Sequence, residues 1–277
     1  MRLLTPGQTR ELDRISMAEL DIPGKRLMGN AGRRVAEKAL EMTSDIHDPV
    51  ILILCGKGNN GGDGFAAAVI LNEQNYQIQI HSIPDKKEIK NDSLHYYLKC
   101  EGLGIPVTFG SHIPEFKKPD LVIDGLLGTG FKGELRKDLI PYVDWINETV
   151  SKILSIDIPS GLDGNSGTLH LRAVKADATM TFGGCKTGMV FRNGPDHSGN
   201  VTVGEIGFPE LDELDLPGLE WTLYSSEQSK EFFHKPVIDA HKYSSGKVLV
   251  IAGSRGMTGA AMLATFGALR CGAGLTI

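Results

Sequence analysis

The sequence predicts an α/β protein whose main domain is a three-layer, mostly parallel sheet, and three observations carry that expectation. From Val50 onward short apolar runs alternate with helical patterns. Alternating βα units imply a parallel sheet covered by helices on both faces. The first apolar run, Val50–Cys55, delivers the stretch Gly56-Lys57-Gly58-Asn59-Asn60-Gly61-Gly62-Asp63-Gly64 into a helix-like segment read as opening at Phe65. Two later strands end in aspartate, at Asp124 and Asp157, each followed by a small glycine-containing loop.

In chain order, Gln8 to Asp21 carries Leu12, Ile15 and Leu20 at helical spacing, and Pro23-Gly24 breaks it. Arg26 to Thr43 places Met28, Ala31, Val35, Ala39 and Met42 on one apolar face. The predicted strands are Val50–Cys55, Gln77–His81, Val107–Phe109, Leu121–Asp124, Ile153–Asp157, Thr179–Phe182 and Asn200–Ile206. Helices are predicted near Phe65–Asn75, Asp92–Glu101 and Leu139–Asn147. Glu210 to Lys242 has acids, a Leu-Pro-Gly and little periodicity, and reads as a linker. Lys247–Ala252 is then a buried-type strand, 253–259 a second glycine-rich turn, Ala260–Arg270 a helix and 274–277 the next strand. One β–α unit cannot bury its own apolar face. The expected organisation is a domain over 1–215, a linker over 216–240 and the truncated start of a second α/β domain over 241–277. That last piece is expected to pack loosely.

Composition narrows the function. With 277 residues, 41% hydrophobic and 23% charged, the chain suits about two globular domains. A net charge of −5 argues against a nucleic-acid groove or an anionic membrane surface. No apolar run reaches the roughly 18 residues of a membrane helix, and Met1 to Gly7 is too poor in apolar residues for a secretory signal. Cys55, Cys100, Cys185 and Cys271 form no C-x-x-C pair, so neither zinc nor a disulfide framework is expected. The reading is a reduced, cytoplasmic protein, with its self-association left open.

A strand delivering a glycine-rich turn into a helix N-terminus builds an anion site, since bare backbone approaches closely and first-turn N–H groups favour phosphate. Gly56, Gly58 and Gly61 satisfy G-x-G-x-x-G literally. The acid required about 20 residues on is missing, however. The next strand ends in His81-Ser82, and Asp85 comes late. Lys57 precedes the loop glycines, which excludes a Walker loop. An ordinary NAD dehydrogenase and a P-loop NTPase are thus both disfavoured; a glycine turn without ligand is the bland alternative.

In parallel sheets ligands collect beyond the strand C-terminal ends. Asp124 and Asp157 therefore belong at the same edge as Gly58–Gly64, although aspartates there also cap loops. Asp124 with the Asn60 carbonyl and the Ser160 hydroxyl makes an all-oxygen set that suits a hard, monovalent ion. The eight histidines show no HExxH spacing, and most are expected at the surface. G-x-S-x-G is absent.

The ordered motifs Leu27–Gly32, Gly58–Gly64, Asp124–Gly130, Asp157–Gly161 and Ala176–Phe182 together resemble the NAD(P)H-hydrate epimerase domain, over nearly all of residues 1 to 210. The tail from His241 through Gly246–Ser254 to Ala261 looks like the start of the ADP- or ATP-dependent NAD(P)H-hydrate dehydratase domain, a ribokinase-like fold. The resemblance implies a Rossmann-like fold and a substrate, hydrated NADH or NADPH, bound by Asn59, Asn60, Gly61, Gly62 and Asp63. It further implies a substrate loop of Gly128, Thr129, Gly130, Phe131, Lys132, Gly133 and Glu134, with Asp157 facing the substrate as the candidate catalytic acid. One potassium ion is implied on Asn60, Asp124 and Ser160, and ADP or ATP only for the dehydratase part. Around Lys186 the chain reads Gly-Cys-Lys-Thr-Gly where the family often has a proline, which leaves that lysine's role open.

The expected activity is interconversion of the R and S forms of hydrated NADH and NADPH. Two other readings stand beside it: a fragment of the bifunctional epimerase and S-form dehydratase, and a non-catalytic nucleotide- or protein-binding Rossmann-like module. Turnover separates the last from the others. Asp157→Ala is expected to abolish epimerisation with the fold intact, on the view that Asp157 is a surface-crevice acid.

Overall fold

Thr5 starts the first helix with a reciprocal cap: its hydroxyl accepts from the Gln8 N–H, and the Gln8 side chain accepts from the Thr5 N–H. The structure, a computed structural model, describes residues 1–277 except 111, 114, 116, 117, 170, 212, 213, 215, 217, 219, 220 and 233–237. The short strand β1 (Leu3–Leu4) leads into α1 (Pro6–Ala18) and α2 (Gly24–Met42). Then follow β2 (Val50–Cys55), α3 (Asn59–Glu73), β3 (Gln77–Ser82), α4 (Asn91–Gly102), β4 (Val107–Phe109), β5 (Leu121–Gly125), α5 (Ile140–Glu148) and β6 (Lys152–Ile156). After a long loop come β7 (Ala178–Phe182), β8 (Cys185–Lys186), α6 (Thr187–Val190), α7 (Gly194–Ser198) and β9 (Asn200–Gly204).

Seven of these strands form one sheet in the order β4-β3-β2-β5-β6-β7-β9, every pairing parallel. They are the seven strands read from the sequence, with ends moved by one or two residues. Strand residues alternate between two apolar layers, as a sheet buried on both faces requires. Ile51 and Ile53 of β2 with Leu121 and Ile123 of β5 face a cluster shared with Val35 and Ala36 of α2 and Phe65 of α3. Leu52, Leu54 and Val122 face the other way, against Tyr142, Val143 and Ile146 of α5. This is the three-layer α/β architecture expected. Among the described residues no helix is long and apolar enough to cross a membrane.

The strand order reverses between β2 and β5. From β2 the chain winds outward through β3 and β4, then returns to β5 and winds the other way through β6, β7 and β9. Helices leaving the sheet ends in opposite senses open a crevice beyond the C-terminal ends of β2 and β5. Those ends carry Cys55-Gly56 and Asp124-Gly125.

Two compact units divide the chain, Met1–Leu223 and Tyr224–Ile277. The first runs past the boundary expected at 215. Leu216 is buried, the Leu3 N–H donates to the Trp221 carbonyl, and the Leu223 N–H donates to that of Met1. Two hydrogen-bonded ends were invisible to periodicity. In the second unit α8 (Ser226–Ser229) precedes β10 (Lys247–Val248), α9 (Thr258–Arg270) and β11 (Leu275–Thr276), with β10 and β11 paired in parallel. Leu249, Ile251, Leu263 and Phe266 are all more than half exposed, leaving this unit little core of its own. Limited proteolysis is expected to cut first within 224–246 and to leave a stable 1–223 fragment. First cleavage inside residues 1–223 would show that the two units are not independent.

Candidate active site

Helix α3 begins earlier than the sequence suggests. Its N-cap is Gly58, and Asn59 to Gly64 form its first turns instead of a loop ahead of Phe65. Glycine content hides a helix from propensity, yet here close packing demands it. A Cβ at Gly56 would fall 1.8 Å from the Leu126 carbonyl oxygen, and one at Gly61 would fall 2.1 Å from the Gly56 carbonyl oxygen. Gly56 also donates its N–H to the Gly125 carbonyl at 2.9 Å. Bare backbone thus lets the N-terminus of α3 sit directly against the end of β5. Gly58, Asn59 and Asn60 at that helix start line the crevice, a position where helix geometry favours an anion.

Asp124 organises the floor. It is wholly buried, opposite Leu54 in β2 and Ser155 in β6. One carboxylate oxygen accepts from the Leu126 N–H (3.2 Å) and the Ser160 hydroxyl (2.6 Å). The other accepts from the Ser155 hydroxyl and the Ser160 N–H, both at 2.9 Å. The Ser160 hydroxyl in turn accepts from the Leu127 N–H at 2.9 Å, and the Asn60 amide donates to the Leu127 carbonyl at 2.8 Å. Asn60, Asp124 and Ser160, the expected potassium set, are therefore one hydrogen-bonded group tying α3 to the loops after β5 and β6. Burial pushes the Asp124 carboxyl up, against the bonds from Ser160, Ser155 and Leu126 that favour its charge. No cationic side chain pairs with it among the described residues. An oxygen-only set around a buried carboxylate without a counter-charge fits a monovalent cation chemically. No cluster of three His, Cys, Asp or Glu residues suited to a metal occurs among the described residues. The expected potassium set contains only one residue of those types.

Above this floor lies a cavity of about 580 Å³. Asn59, Asn60, Asp63, Gly128, Thr129, Gly130, Phe131, Lys132, Glu134 and Asp157 line it. Gly61 and Gly62, also expected to bind substrate, are buried beneath this lining, where a Cβ on Gly61 would meet Gly56 and one on Gly62 would meet Met28 and Ser93. Gly133 is exposed and outside the lining. Asp124 and Ser160 lie behind the wall that Asn60 presents.

Asp157 follows β6 with φ +64°, a left-handed conformation uncommon outside glycine but tolerated by aspartate. This turn carries the carboxylate to the fully buried Lys186 ammonium, 2.5 Å away. Lys186 donates further to the Thr181 hydroxyl and the Phe182 carbonyl, each at 2.8 Å. Sequence reading left Lys186 open; it is the counter-ion of Asp157. The view of Asp157 as a surface-crevice acid is corrected in turn, because it is only 8% exposed and is half of a buried ion pair.

Sequence reasoning missed Asp13. It lies in α1 and lines the same cavity as Asp63 and Asp157. Burial pushes the Asp13 carboxyl up to about 6, Asp157's charge adds to this, and Lys186 opposes it. Asp63 is likewise pushed well up by burial, then by the charges of Asp157 and Asp13. A signal was available: Thr9, Asp13 and Ser16 recur at helical spacing on a helix whose Leu12 and Ile15 are buried.

Most described histidines lie outside the core, as expected. His81 and His197 are buried. The His81 ring meets Thr108, Tyr142 and the Gly110 carbonyl, away from the residues lining the cavity. His170 and His234 lie outside the described residues.

The sequence pattern of the family described as YjeF-related protein N-terminus matches residues 24–188. The chain belongs to this family. A relative from Rhodopirellula baltica named NAD(P)H-hydrate epimerase is 35% identical over 74% of this chain and 84% of its own length. Relatives from Moorella thermoacetica and Archaeoglobus fulgidus, each named bifunctional NAD(P)H-hydrate repair enzyme Nnr, are 32% and 39% identical over 99% and 89% of the chain. The chain spans about half their length, 53% and 48%. The solved yeast protein YNL200c shares 18% identity and a TM-score of 0.67, over 82% of this chain and 98% of that one. At that identity the likeness establishes the fold. Within this YjeF-related domain the matched segment supplies α2, the α3 turn, both strand-end aspartates and Lys186. Asp13 comes from α1, before it.

Proposed function

We propose that the chain interconverts the R and S forms of hydrated NADH and NADPH. The observation that carries this reading is one cavity joining an anion-binding helix start, Asn59–Asp63, to an acid–ammonium pair, Asp157–Lys186. The first suits a dinucleotide's pyrophosphate and the second suits proton transfer. The relative named NAD(P)H-hydrate epimerase supplies the substrate class.

Hydration leaves a hydroxyl on a ring carbon next to nitrogen. Inverting that carbon means breaking and remaking the carbon–oxygen bond, with a proton given to the departing hydroxyl and another taken from the incoming water. Asp157, held in place by its ion pair with Lys186, is the group positioned to take the second proton. Gly128–Glu134 with Asn59, Asn60 and Asp63 would hold the nucleotide; Gly61, Gly62 and Gly133 serve by shaping backbone. Asn60, Asp124 and Ser160 would hold a potassium ion, whose contribution when bound is charge neutralisation and positioning of these loops.

The second unit, 224–277, reads as the opening of an ADP- or ATP-dependent dehydratase domain, since the bifunctional relatives extend well beyond the aligned part. The free, buried thiols of Cys55, Cys100 and Cys185 suit a reducing, cytoplasmic setting.

The decisive test is chromatography of mixed-epimer hydrated NADH incubated with the chain and a separate dehydratase specific for the S form. Consumption of both epimers is expected. An R remainder lost only at the uncatalysed rate would sink the reading, and a binding module would leave that remainder.

A further inference from the structure

Inversion at a planar centre needs a proton-transfer group for each face, and Asp157 accounts for one. Two other carboxyls, Asp13 and Asp63, line the cavity. Asp63 is in the second turn of α3, within the glycine stretch that packs on the floor. Asp13 comes from a separate element, α1, whereas Asp157 comes from the turn after β6. We propose that Asp13 is the second catalytic residue of the epimerisation, exchanging a proton with the ring hydroxyl while Asp157 exchanges one with water on the other face. This assignment rests on the epimerase reading.

The step balances. The hydroxyl takes the Asp13 proton, and the carbon–oxygen bond breaks with its electron pair leaving on water. The ring-nitrogen lone pair moves in to give a planar iminium. Water then adds to the other face, the nitrogen recovers its pair, and the added water gives one proton to Asp157. That proton returns to Asp13 through solvent, and in the reverse direction the two acids exchange roles. The groups facing Asp13 suit this division. Asp157 after β6 and Asp63 on α3 repel its charge, and Lys186 on β8 attracts it but is already paired with Asp157. Arg10, one turn earlier on α1, donates to the Thr129 carbonyl at 3.2 Å. Burial and these neighbours leave Asp13 titrating at about 6, so it is mostly protonated below that pH and keeps its proton in only roughly a tenth of molecules at neutrality, far more than an ordinary carboxylate would.

The sign for stability follows from the raised value. The fold favours protonated Asp13, so its contribution is complete below the ordinary carboxylate value of 3.8 and is lost as pH rises through about 6. Asp13→Asn is therefore expected to match the parent's thermal midpoint at low pH and exceed it at pH 7 to 8.

The test is the pH dependence of kcat for the full chain with hydrated NADH. In the parent, kcat should fall about tenfold per pH unit above about 6. Asp13→Asn should lose about 10²–10⁴-fold in kcat, with KM within a few-fold, and should lose that falling limb. Asp13→Glu, which keeps the acid and is the safer variant for folding, should retain the limb and recover part of the rate. A rate within about five-fold of the parent, a limb that survives in Asp13→Asn, or an Asp13→Glu no better than Asp13→Asn overturns the assignment. A parent chain without epimerase activity overturns the functional reading itself, and this assignment with it.

Discussion

Asp157→Ala is expected to lose both turnover and stability. The catalytic loss should be about 10²–10⁴-fold, the usual contribution of one general acid or base. The loss of stability follows from Lys186, whose ammonium is fully buried and faces Asp157 at 2.5 Å. Removing one partner of a buried pair leaves an uncompensated charge and costs about 3–5 kcal/mol. Alanine also accepts the left-handed backbone at φ +64° poorly, for about 1–2 kcal/mol more. For a unit of this size a loss of about 4–7 kcal/mol should lower the thermal midpoint by roughly 8–28 °C. Lys186→Met added to Asp157→Ala removes the orphaned charge and should restore most of the stability while restoring no activity. Asp157→Asn tolerates the backbone and can still accept from Lys186, so it should stay close to folded and remain inactive. The measurements are chemical denaturation midpoints and epimer chromatography. A fully stable Asp157→Ala would mean that Lys186 is not committed to this pair, and an active Asp157→Asn would remove Asp157 from proton transfer.

What could be read in advance depended on whether a feature was local in sequence. The seven sheet strands were legible because each is a short apolar run or alternates apolar with polar residues at period two. Asn60, Asp124 and Ser160 were legible as oxygen donors at strand and turn ends, and the structure joins them through the Leu127 backbone and the Ser160 hydroxyl. The start of α3 at Asn59 was not legible. Glycine is a poor helix former, and the need for it arises from Leu126 and Gly56, which meet only after β2 and β5 pair. Lys186 was not legible for the same reason, since its partner lies on the far side of a strand crossover. Asp13 carried a faint local signal in its spacing from Thr9 and Ser16, but its raised carboxyl depends on Asp157, which the chain reaches much later.

Asp124→Ala should be the most destabilising change in the domain. Four donors end on its two oxygens: the Leu126 and Ser160 N–H groups and the Ser155 and Ser160 hydroxyls. Each buried donor left without an acceptor costs about 1–3 kcal/mol. The bonds form one network, so the total should fall below their sum, yet still reach several kcal/mol. The effect should spread along the chain, because Leu127 hangs from Ser160 and Asn60 hangs from Leu127. Loosening the group would free the loop of Thr129, Phe131 and Lys132 that lines the cavity. Asp124→Asn keeps the volume but turns two N–H bonds toward a cluster of donors, so it should recover only part of the loss. The same carboxylate supplies the formal charge of the proposed potassium set. Cation binding to the folded state raises stability by RT ln(1 + [K⁺]/Kd). The parent's thermal midpoint is thus expected to climb with potassium chloride and to respond far less to tetramethylammonium chloride at equal ionic strength, while Asp124→Asn should not distinguish the two salts. If the parent responds equally to both, the rise is ionic screening and Asn60, Asp124 and Ser160 form a purely structural network. A selective rise that survives in Asp124→Asn would move the cation elsewhere in the domain.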